Sequence, residues 1–382
     1  MIDLIRLSLT DWLGLPQDTG TPLEHLEAAM RWLSRAQDAV PGGGVSRGYT
    51  LKWQSTYKKA GWLPPYPETT GYIIETFYDF AARTNQAAYR ERAERMARWE
   101  SEVQMANGAV QGAVLGFEQT PAIFNTGQVC FGWARAYEET KDESFRRSAQ
   151  RAGDFLVHAL DPDGAWRRHG SQYAREGVNV YDTRTAYGLA RAGQATGDPA
   201  HREAASRNLA FAMTRLRPNG WIEECCLTDN DRPLLHTLAY AAEGWIGGGV
   251  ILDDDRFVEA GRRVADALLA KQRADGSLAG RFDAAWNEAA SWSCLTGDAQ
   301  TSICWWRLFE ITGENRYREA GRAMNRYLRR TQRREDPNPA VVGAIKGSHP
   351  LWGGYGPFEY LNWAAKFFAD ALLLEIRLDA RS

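Results

Sequence analysis

Residues 82–93 read ARTNQAAYRERA, and variants of this block recur without gaps along the chain. The other copies have the same length and span residues 138–149, 194–205, 250–261 and 310–321. The step from one copy to the next is therefore constant, except that the last step is slightly longer. In the first copy Tyr89 precedes Ala93 by four positions, and each later copy keeps a ring followed by Ala or Gly there. Side chains four positions apart share one helix face, so each block is predicted to begin a closely packed helix.

A glycine-containing turn follows the same period. Gly108, Gly164, Gly220 and Gly276 are evenly spaced by that step and lie in the sequences ANGA, PDGA, PNGW and ADGS. Dipeptides of this kind end helices. The last copy belongs to KQRADGSLAG at residues 271–280, which resembles the Gln-x-x-Asp-Gly-Ser-Trp repeats of squalene-hopene cyclases and protein prenyltransferases. Its recurrence along the chain predicts a structural turn rather than a reactive motif.

Before each repeated block lies an apolar segment rich in small residues, which is typical of a helix buried on every side. These predicted inner helices span residues 71–82, 127–138, 183–194, 237–249, 299–310 and 359–374. Five outer helices follow them, and residues 23–37 supply a sixth. The alternation predicts an all-α fold, a single (α/α)6 barrel or toroid of six inner and six outer helices, as one domain over residues 1–382.

This architecture resembles two toroid superfamilies. One comprises the six-hairpin glycosidases with their related lyases and epimerases, and the other comprises the terpenoid cyclases and prenyltransferases. More narrowly, YPETTGYIIET (66–76), YDTRTAYGLA (181–190) and WSCLTGDAQTSICW (292–305) are similar to stretches in poorly characterised proteins of bacterial polysaccharide-biosynthesis loci. The resemblance implies that the active site is a funnel at the N-terminal ends of the inner helices.

The terpenoid chemistry is disfavoured by the acidic residues. An Asp-x-Asp-Asp acid motif and an Asp-Asp-x-x-Asp magnesium motif are both missing from the predicted funnel loops. The acidic run Asp253 to Asp255 aligns instead with the start of an outer helix, on the opposite face. A terpenoid cyclase or prenyltransferase is therefore an unlikely function for this chain.

Composition excludes further classes. A formal net charge of -2 with 25% charged residues gives no electrostatic basis for binding nucleic acid or an anionic membrane. The five cysteines are odd in number and lack Cys-x-x-Cys spacing, so we expect buried free thiols, no metal site and no cofactor. The N-terminus lacks the features of a secretory signal, and no stretch approaches the roughly 20 apolar residues of a membrane span. We expect the cytoplasm, or the periplasm if a leader has been removed.

The loops from outer to inner helices are long and rich in aromatic residues. Long loops that a fold does not need are where function concentrates, and flat rings stack on sugars. The candidate substrate-binding residues, all assigned to this funnel, are Trp53, Tyr66, Tyr181, Arg184, Trp292, Trp352 and Tyr355.

Polar residues beside the starts of the inner helices are the candidate catalytic groups: Glu68, Asp182, His236, Asp298 and Glu359. Glu68 and His236 occupy the same repeat position, at equal distances before the equivalent block residues Thr84 and Leu252. Opposite hairpins of a six-membered ring should place Glu68 across from His236, and Asp182 across from Glu359. The facing side chains would then be on the order of 8 to 10 Å apart, within the range for inverting glycoside hydrolysis. Helix capping is the alternative role for Asp182 and Asp298.

These features predict a carbohydrate-active enzyme that acts on an oligosaccharide, a polysaccharide or a biosynthetic intermediate, by glycosidic cleavage between paired carboxylates. One alternative is a uronic-acid polysaccharide lyase or C5-epimerase. In that case Tyr66, Tyr181 or His236 would exchange the C5 proton and Arg184 would neutralise the carboxylate. The other alternative is a non-catalytic glycan-binding partner of a polysaccharide-synthesis system.

Overall fold

The computed structural model describes residues 2–117, 119–171, 173–174 and 177–380. Its centre is a closed ring of inner helices, in which each helix contacts the next and the last contacts the first. These inner helices are α3 (Pro67–Thr84), α5 (Ile123–Thr140), α7 (Thr183–Thr196), α9 (Leu235–Leu252), α11 (Leu295–Thr312) and α13 (Asn362–Asp379).

A second layer surrounds this ring. The outer helices are α2 (Pro22–Asp38), α4 (Ala87–Val103), α6 (Glu143–Ala159), α8 (Pro199–Met213), α10 (Asp255–Leu269) and α12 (Asn315–Thr331). The predicted (α/α)6 toroid is therefore confirmed. The acidic run Asp253 to Asp255 begins an outer helix, as predicted, because Asp254 caps α10. The five cysteines are buried and free, as predicted. Among the described residues, no helix combines the length and the hydropathy that crossing a bilayer requires.

Glycines allow the inner helices to approach one another closely. A Cβ built at Gly188 of α7 would lie 2.0 Å from the carbonyl oxygen of Gly127 on α5, and one at Gly132 of α5 would lie 2.3 Å from that of Gly71 on α3. These distances are far below van der Waals contact, so no residue with a side chain fits there without moving the backbone. The small-residue pattern of the inner helices is thus a direct consequence of their spacing.

The recurrent turn is structural. At Gly276 the backbone has a φ of 93°, and an added Cβ would lie 2.3 Å from the carbonyl oxygen of Ala323 on α12. The side-chain amide of Gln272 donates hydrogen bonds of 3.0 Å to the carbonyl oxygens of Gly276 and Ala320. The Gln-x-x-Asp-Gly-Ser stretch therefore anchors its loop to the next outer helix. These contacts explain the motif by a structural role.

The structure contains several elements that the sequence patterns do not predict. They are helix α1 (Ile2–Trp12) and the short strands β1 (Gly48–Gln54), β2 (Lys59–Trp62), β3 (Ser293–Cys294), β4 (Ser348–His349) and β5 (Glu359–Leu361). The predicted inner helix at residues 359–374 begins three residues late, at Asn362. The reason is that the backbone at Glu359 pairs with Thr50 of β1, which holds it extended in a sheet of order β2-β1-β5.

The middle of the ring is filled by Arg184. Its guanidinium makes an ion pair with Glu243, at 3.0 Å between Nε and the carboxylate, and both side chains are almost fully buried. It also lies 4.8 to 5.6 Å from the centres of four surrounding rings, those of Tyr72, Phe131, Tyr240 and Phe367. This cluster divides the space inside the toroid into two separate cavities, one at each end of the inner helices.

Candidate functional site

The cavity at the N-terminal ends of the inner helices has a volume of about 160 Å³. Its walls are mainly aromatic, formed by Tyr66, Phe124, Tyr173, Tyr181, Tyr240, Tyr355 and Trp363. The polar groups among them include Glu68, His236 and Arg47. An apolar pocket with a few convergent polar groups is the usual form of a small-molecule site.

Glu68 is the carboxyl group in this cavity. It lies in the first turn of α3, and the hydroxyl of Tyr66 donates a hydrogen bond to its Oε2. Burial raises the pKa of Glu68 to about 7, although the bond from Tyr66 and the charges of Arg184 and Arg47 act in the opposite direction. A carboxyl group with this pKa can both hold and release a proton near neutral pH.

His236 reaches the same cavity from the first turn of α9. Its ring lies 4.3 Å from the ring centre of Tyr240 and 5.2 Å from that of Tyr355. Nδ1 is 2.6 Å from Oε1 of Gln300, and because a carbonyl oxygen only accepts, Nδ1 carries the proton and Nε2 the lone pair. Burial lowers the pKa of His236 to about 4, so the imidazole is neutral at neutral pH.

Arg47 brings a fixed positive charge to the cavity wall. Its guanidinium is held by an ion pair of 2.7 Å to Oε2 of Glu359, and Gln54 donates a 2.7 Å hydrogen bond to Oε1 of the same carboxylate. It lies 5.0 Å from the ring centre of Trp363. Both carboxylate oxygens of Glu359 are thus engaged, so this residue orients Arg47 rather than facing the cavity itself.

The structure brings together five of the residues that the sequence singled out. They are Tyr66, Glu68, Tyr181, His236 and Tyr355. Glu68 and His236 thus line the same cavity although they come from opposite hairpins of the ring. The expected pairing of carboxylates is not found, because Glu68 is the only Asp or Glu that lines this cavity in the described part of the chain.

Asp298 requires a correction. Its carboxylate accepts a 3.2 Å hydrogen bond from the backbone N–H of Leu278, in the loop after α10, and does not line the cavity. Two other inner helices make the same contact through threonine, since Val45 N–H donates to Thr70 and Val110 N–H to Thr126, each at 2.9 Å. Aligning the repeats places Thr70, Thr126 and Asp298 at one equivalent position. Asp298 is therefore a loop anchor.

Asp182 occupies the same repeat position as Asp298, at the start of α7, and it too lies outside the cavity lining. Its side chain accepts a 3.2 Å hydrogen bond from the hydroxyl of Thr185 and makes no capping bond to the backbone. Burial raises the pKa of Asp182 to about 7. The opposition of Asp182 and Glu359 across the funnel is not formed, because Glu359 is held in the sheet by Arg47 and Gln54.

Four predicted binding residues also lie elsewhere. Trp53, on strand β1, is 67% exposed, and Trp352 contributes to a shallow apolar groove beside α1. Trp292 packs its ring against glycine backbone in two loops, at Gly280 and Gly354, where a Cβ would collide with it. Arg184 lines the opposite cavity, as described above. None of these four side chains lines the N-terminal cavity, which is narrower than the aromatic content of its loops indicated.

Sequence reasoning missed part of the lining. Phe124 occupies the repeat position of Glu68 and His236, so the period could have identified it. Trp363 is the second residue of α13, and Tyr240 lies four residues after His236 in α9. Arg47 carries no such signal, because a loop between α2 and β1 delivers it to the cavity.

The anchoring role of Asp298 leads to a prediction. Asp298→Thr should keep the bond to Leu278 and change the free energy of unfolding by less than about 1 kcal/mol, because threonine performs this task at two other repeats. Asp298→Ala should lose roughly 1 to 3 kcal/mol, since the buried N–H of Leu278 is left unbonded. Urea unfolding of the two variants measures the difference. Equal losses for both would contradict the anchoring role.

Comparisons with known proteins extend the description. No protein-family model and no curated protein matches the sequence. Among solved structures, the chain is similar to an unsaturated glucuronyl hydrolase specific for heparin, with a TM-score of 0.75 and 15% identity over 93% of this chain and 97% of the other. It is similar to a D-mannose isomerase, with a TM-score of 0.72, 12% identity and coverage of 94% and 98%.

It is also similar to the cellobiose 2-epimerase from Bacillus thermoamylovorans, with a TM-score of 0.69, 12% identity and coverage of 92% and 97%. These similarities extend over nearly the whole chain and establish the toroid fold. At such identities, the activity of the chain has to be argued from its own residues.

Proposed function

We propose that this protein is a carbohydrate-active enzyme that cleaves a glycosidic bond at the end of an oligosaccharide or polysaccharide. The observation that carries the proposal is the position of Glu68, which is the only Asp or Glu among the described residues that lines the aromatic-walled cavity, where burial raises its pKa to about 7. The names of the neighbours, a glucuronyl hydrolase, a cellobiose epimerase and a mannose isomerase, agree in having carbohydrate substrates.

The size of the cavity supports action at a chain end. Its volume of about 160 Å³ is near half of the roughly 300 Å³ at the lower end for drug-sized ligands. One sugar ring fits such a space, whereas several consecutive units do not. The similarity of residues 66–76, 181–190 and 292–305 to bacterial polysaccharide-biosynthesis proteins supports an exopolysaccharide or its biosynthetic intermediate as the source of that ring.

In the proposed reaction Glu68 donates its proton to the glycosidic oxygen as the bond to the anomeric carbon breaks. Water attacks that carbon, and Nε2 of His236, which carries a lone pair, receives a proton from the water. Tyr66 holds the Glu68 carboxyl in place through its hydroxyl. Arg47, fixed by Glu359, supplies a hydrogen-bond donor to an oxygen-rich or anionic substituent of the sugar.

A second candidate, epimerisation, is favoured by one specific feature. Glu68 and His236 reach one cavity from hairpins on opposite sides of the ring, so they can address the two faces of a bound sugar. Epimerisation needs a proton removed from one face of a carbon and returned to the other. A neutral imidazole and a carboxyl group with a pKa of about 7 supply such a pair.

The two reactions are separated by their products. The first substrates follow from the neighbours: oligosaccharides that end in an unsaturated glucuronyl unit, cellobiose and mannose, each incubated in deuterated water. With cellobiose, hydrolysis releases new reducing ends without deuterium on carbon, whereas epimerisation incorporates deuterium at carbon without cutting the disaccharide. Saturable binding of a glycan with neither product, under conditions in which the protein is folded, would instead identify a glycan-binding protein.

The pH dependence distinguishes the role of Glu68. If Glu68 is the proton donor, kcat/KM should fall as the pH rises through about 7, because the protonated carboxyl is the active form. His236, with a pKa of about 4, stays neutral throughout this range and adds no change. Initial rates from about pH 6 to 8 measure the slope. A rise over the same range would show that Glu68 acts as a base.

A further inference from the structure

The second cavity lies at the other end of the ring, below Arg184. It has a volume of about 600 Å³ and is formed by the C-terminal halves of α3 and α13 together with α11 and the centre of the ring. Charged side chains alternate in its walls with apolar ones such as Ile303, Leu373 and Leu374. The volume falls within the range of about 300 to 1,000 Å³ that is typical of small-molecule sites.

The carboxylates in these walls are already neutralised by basic side chains. The four ion pairs are Glu75 with Arg191 at 3.5 Å, Asp79 with Arg135 at 2.9 Å, Glu243 with Arg184 at 3.0 Å, and Asp370 with Lys366 at 2.5 Å. A further basic residue in the wall, Arg377, is bound by Glu310 at 2.6 Å. Each acidic side chain that lines the cavity therefore already has a basic partner in direct contact.

Two guanidinium groups in the same wall have no carboxylate partner within the described residues. Within the described ranges, neither Arg83 of α3 nor Arg307 of α11 makes an ion pair or a hydrogen bond, and Nε of Arg307 is buried without a partner. The two helices flank α13 on either side, so both groups face the space in front of it. The lining thus holds five basic and four acidic side chains, and these two arginines are the basic ones without a carboxylate partner in the described part of the chain.

Stabilisation of a helix C-terminus by a positive charge explains Arg83 but not Arg307. Arg83 lies in the last turn of α3, where a cation stabilises the free carbonyl groups. Arg307 lies five residues before the end of α11 at Thr312, outside the last turn. Arg307 lines the cavity, and within the described ranges its terminal nitrogens make no hydrogen bond. An anion in the cavity is the simplest partner for these charged donors.

We infer that this second cavity binds a small organic phosphate of the size of a monosaccharide phosphate, with the phosphate held between Arg307 and Arg83. A phosphate monoester carries a charge of about -1.5 to -2 at neutral pH, which matches two guanidinium groups better than a single carboxylate does. Arginine binds phosphate oxygens through two parallel N–H bonds. The apolar side chains contact the body of the ligand, and the paired carboxylates accept hydrogen bonds from its hydroxyl groups.

Titration calorimetry with glucose 6-phosphate tests this site, with glucose as the uncharged counterpart. We expect saturable binding of the phosphate and none of glucose. Arg307→Gln and Arg83→Gln should each raise the Kd at least about tenfold, the effect of losing a charged hydrogen bond. Arg147→Gln, at an exposed position on α6 outside the cavity, is the matched control and should leave the Kd unchanged.

The same measurement on Glu68→Gln separates the two cavities. Binding that survives Glu68→Gln belongs to the second cavity, whatever the reaction of the first. The inference is overturned if glucose 6-phosphate does not bind, if Glu68→Gln abolishes its binding, or if Arg83→Gln leaves the Kd unchanged. Arg83 is exposed at the rim, so its variant keeps the test decisive even if Arg307→Gln fails to fold.

Discussion

Glu68→Gln is expected to lower turnover by roughly 10² to 10⁴-fold, the usual contribution of a positioned acid–base group. The amide keeps the size of the side chain and can still accept the hydrogen bond from Tyr66, so the protein should fold as before. What it loses is the proton that a carboxyl group with a pKa of about 7 can exchange. Initial rates with saturating substrate measure the loss of turnover, and circular dichroism checks that the variant is folded.

A second buried glutamate provides the control. Glu100 on α4 is fully buried, both its carboxylate oxygens lack a hydrogen-bond partner, and burial raises its pKa well above the ordinary value. It lies outside the cavity, so Glu100→Gln should leave turnover unchanged. If both variants were equally active, Glu68 would not be the proton-transfer group, and His236 or Tyr181 would have to take its place.

The second large effect concerns stability. Arg184→Met is expected to lower the free energy of unfolding by about 3 to 5 kcal/mol, the usual cost of leaving one partner of a buried ion pair unpaired. Burial alone raises the pKa of Glu243, but the charges of Arg184, Lys366 and Arg307 together hold it below its ordinary value. Without Arg184, Glu243 remains buried with fewer counter-charges. Urea unfolding at neutral pH measures the loss.

Two further variants show that the loss arises from the buried charge. The double variant Arg184→Met with Glu243→Gln should recover a substantial part of the stability, because the unpaired carboxylate is removed. Arg256→Met breaks an exposed pair with Asp254 and should leave the free energy of unfolding nearly unchanged, because solvent screens such a pair. A double variant as unstable as Arg184→Met would show that packing against the four aromatic rings, rather than the ion pair, is what Arg184 contributes.

The toroid could be predicted because its period is carried by many residues at once. Five hairpins repeat the ring and the small residue four positions later, and four of them repeat the turn glycine, so the alternation of helices does not depend on any single position. The strands of the funnel were missed because they are short and depend on contacts between distant segments. Residues 48–50, for example, pair with residues 359–361. No local sequence pattern predicts a pairing between segments so far apart in the chain.

The candidate site was predicted in part, and helix geometry explains the difference. In the aligned repeats, Glu68 and His236 lie two positions earlier than Asp182 and Asp298. Two positions along an α-helix turn a side chain by about 200°, which is nearly the opposite side. The first pair therefore faces the cavity, while Asp298 faces the surrounding loop. Arg47 could not be predicted from the sequence, because its position depends on the conformation of the loop between α2 and β1.

The shared repeat position of Glu68 and His236 has a consequence for the symmetry of the ring. Six equivalent hairpins set six equivalent places around an approximate sixfold axis, and this position also holds Phe124 and Val180, both buried. The acid and the imidazole break that symmetry, while the backbone largely keeps it. Moving the imidazole to the place of Val180 would change its angle to Glu68 by a sixth of a turn, and moving it to the place of Phe124 would change the angle by a third of a turn, both at nearly constant height. The orientation of the reactive pair about a bound sugar is thus a variable that can change while the fold stays the same.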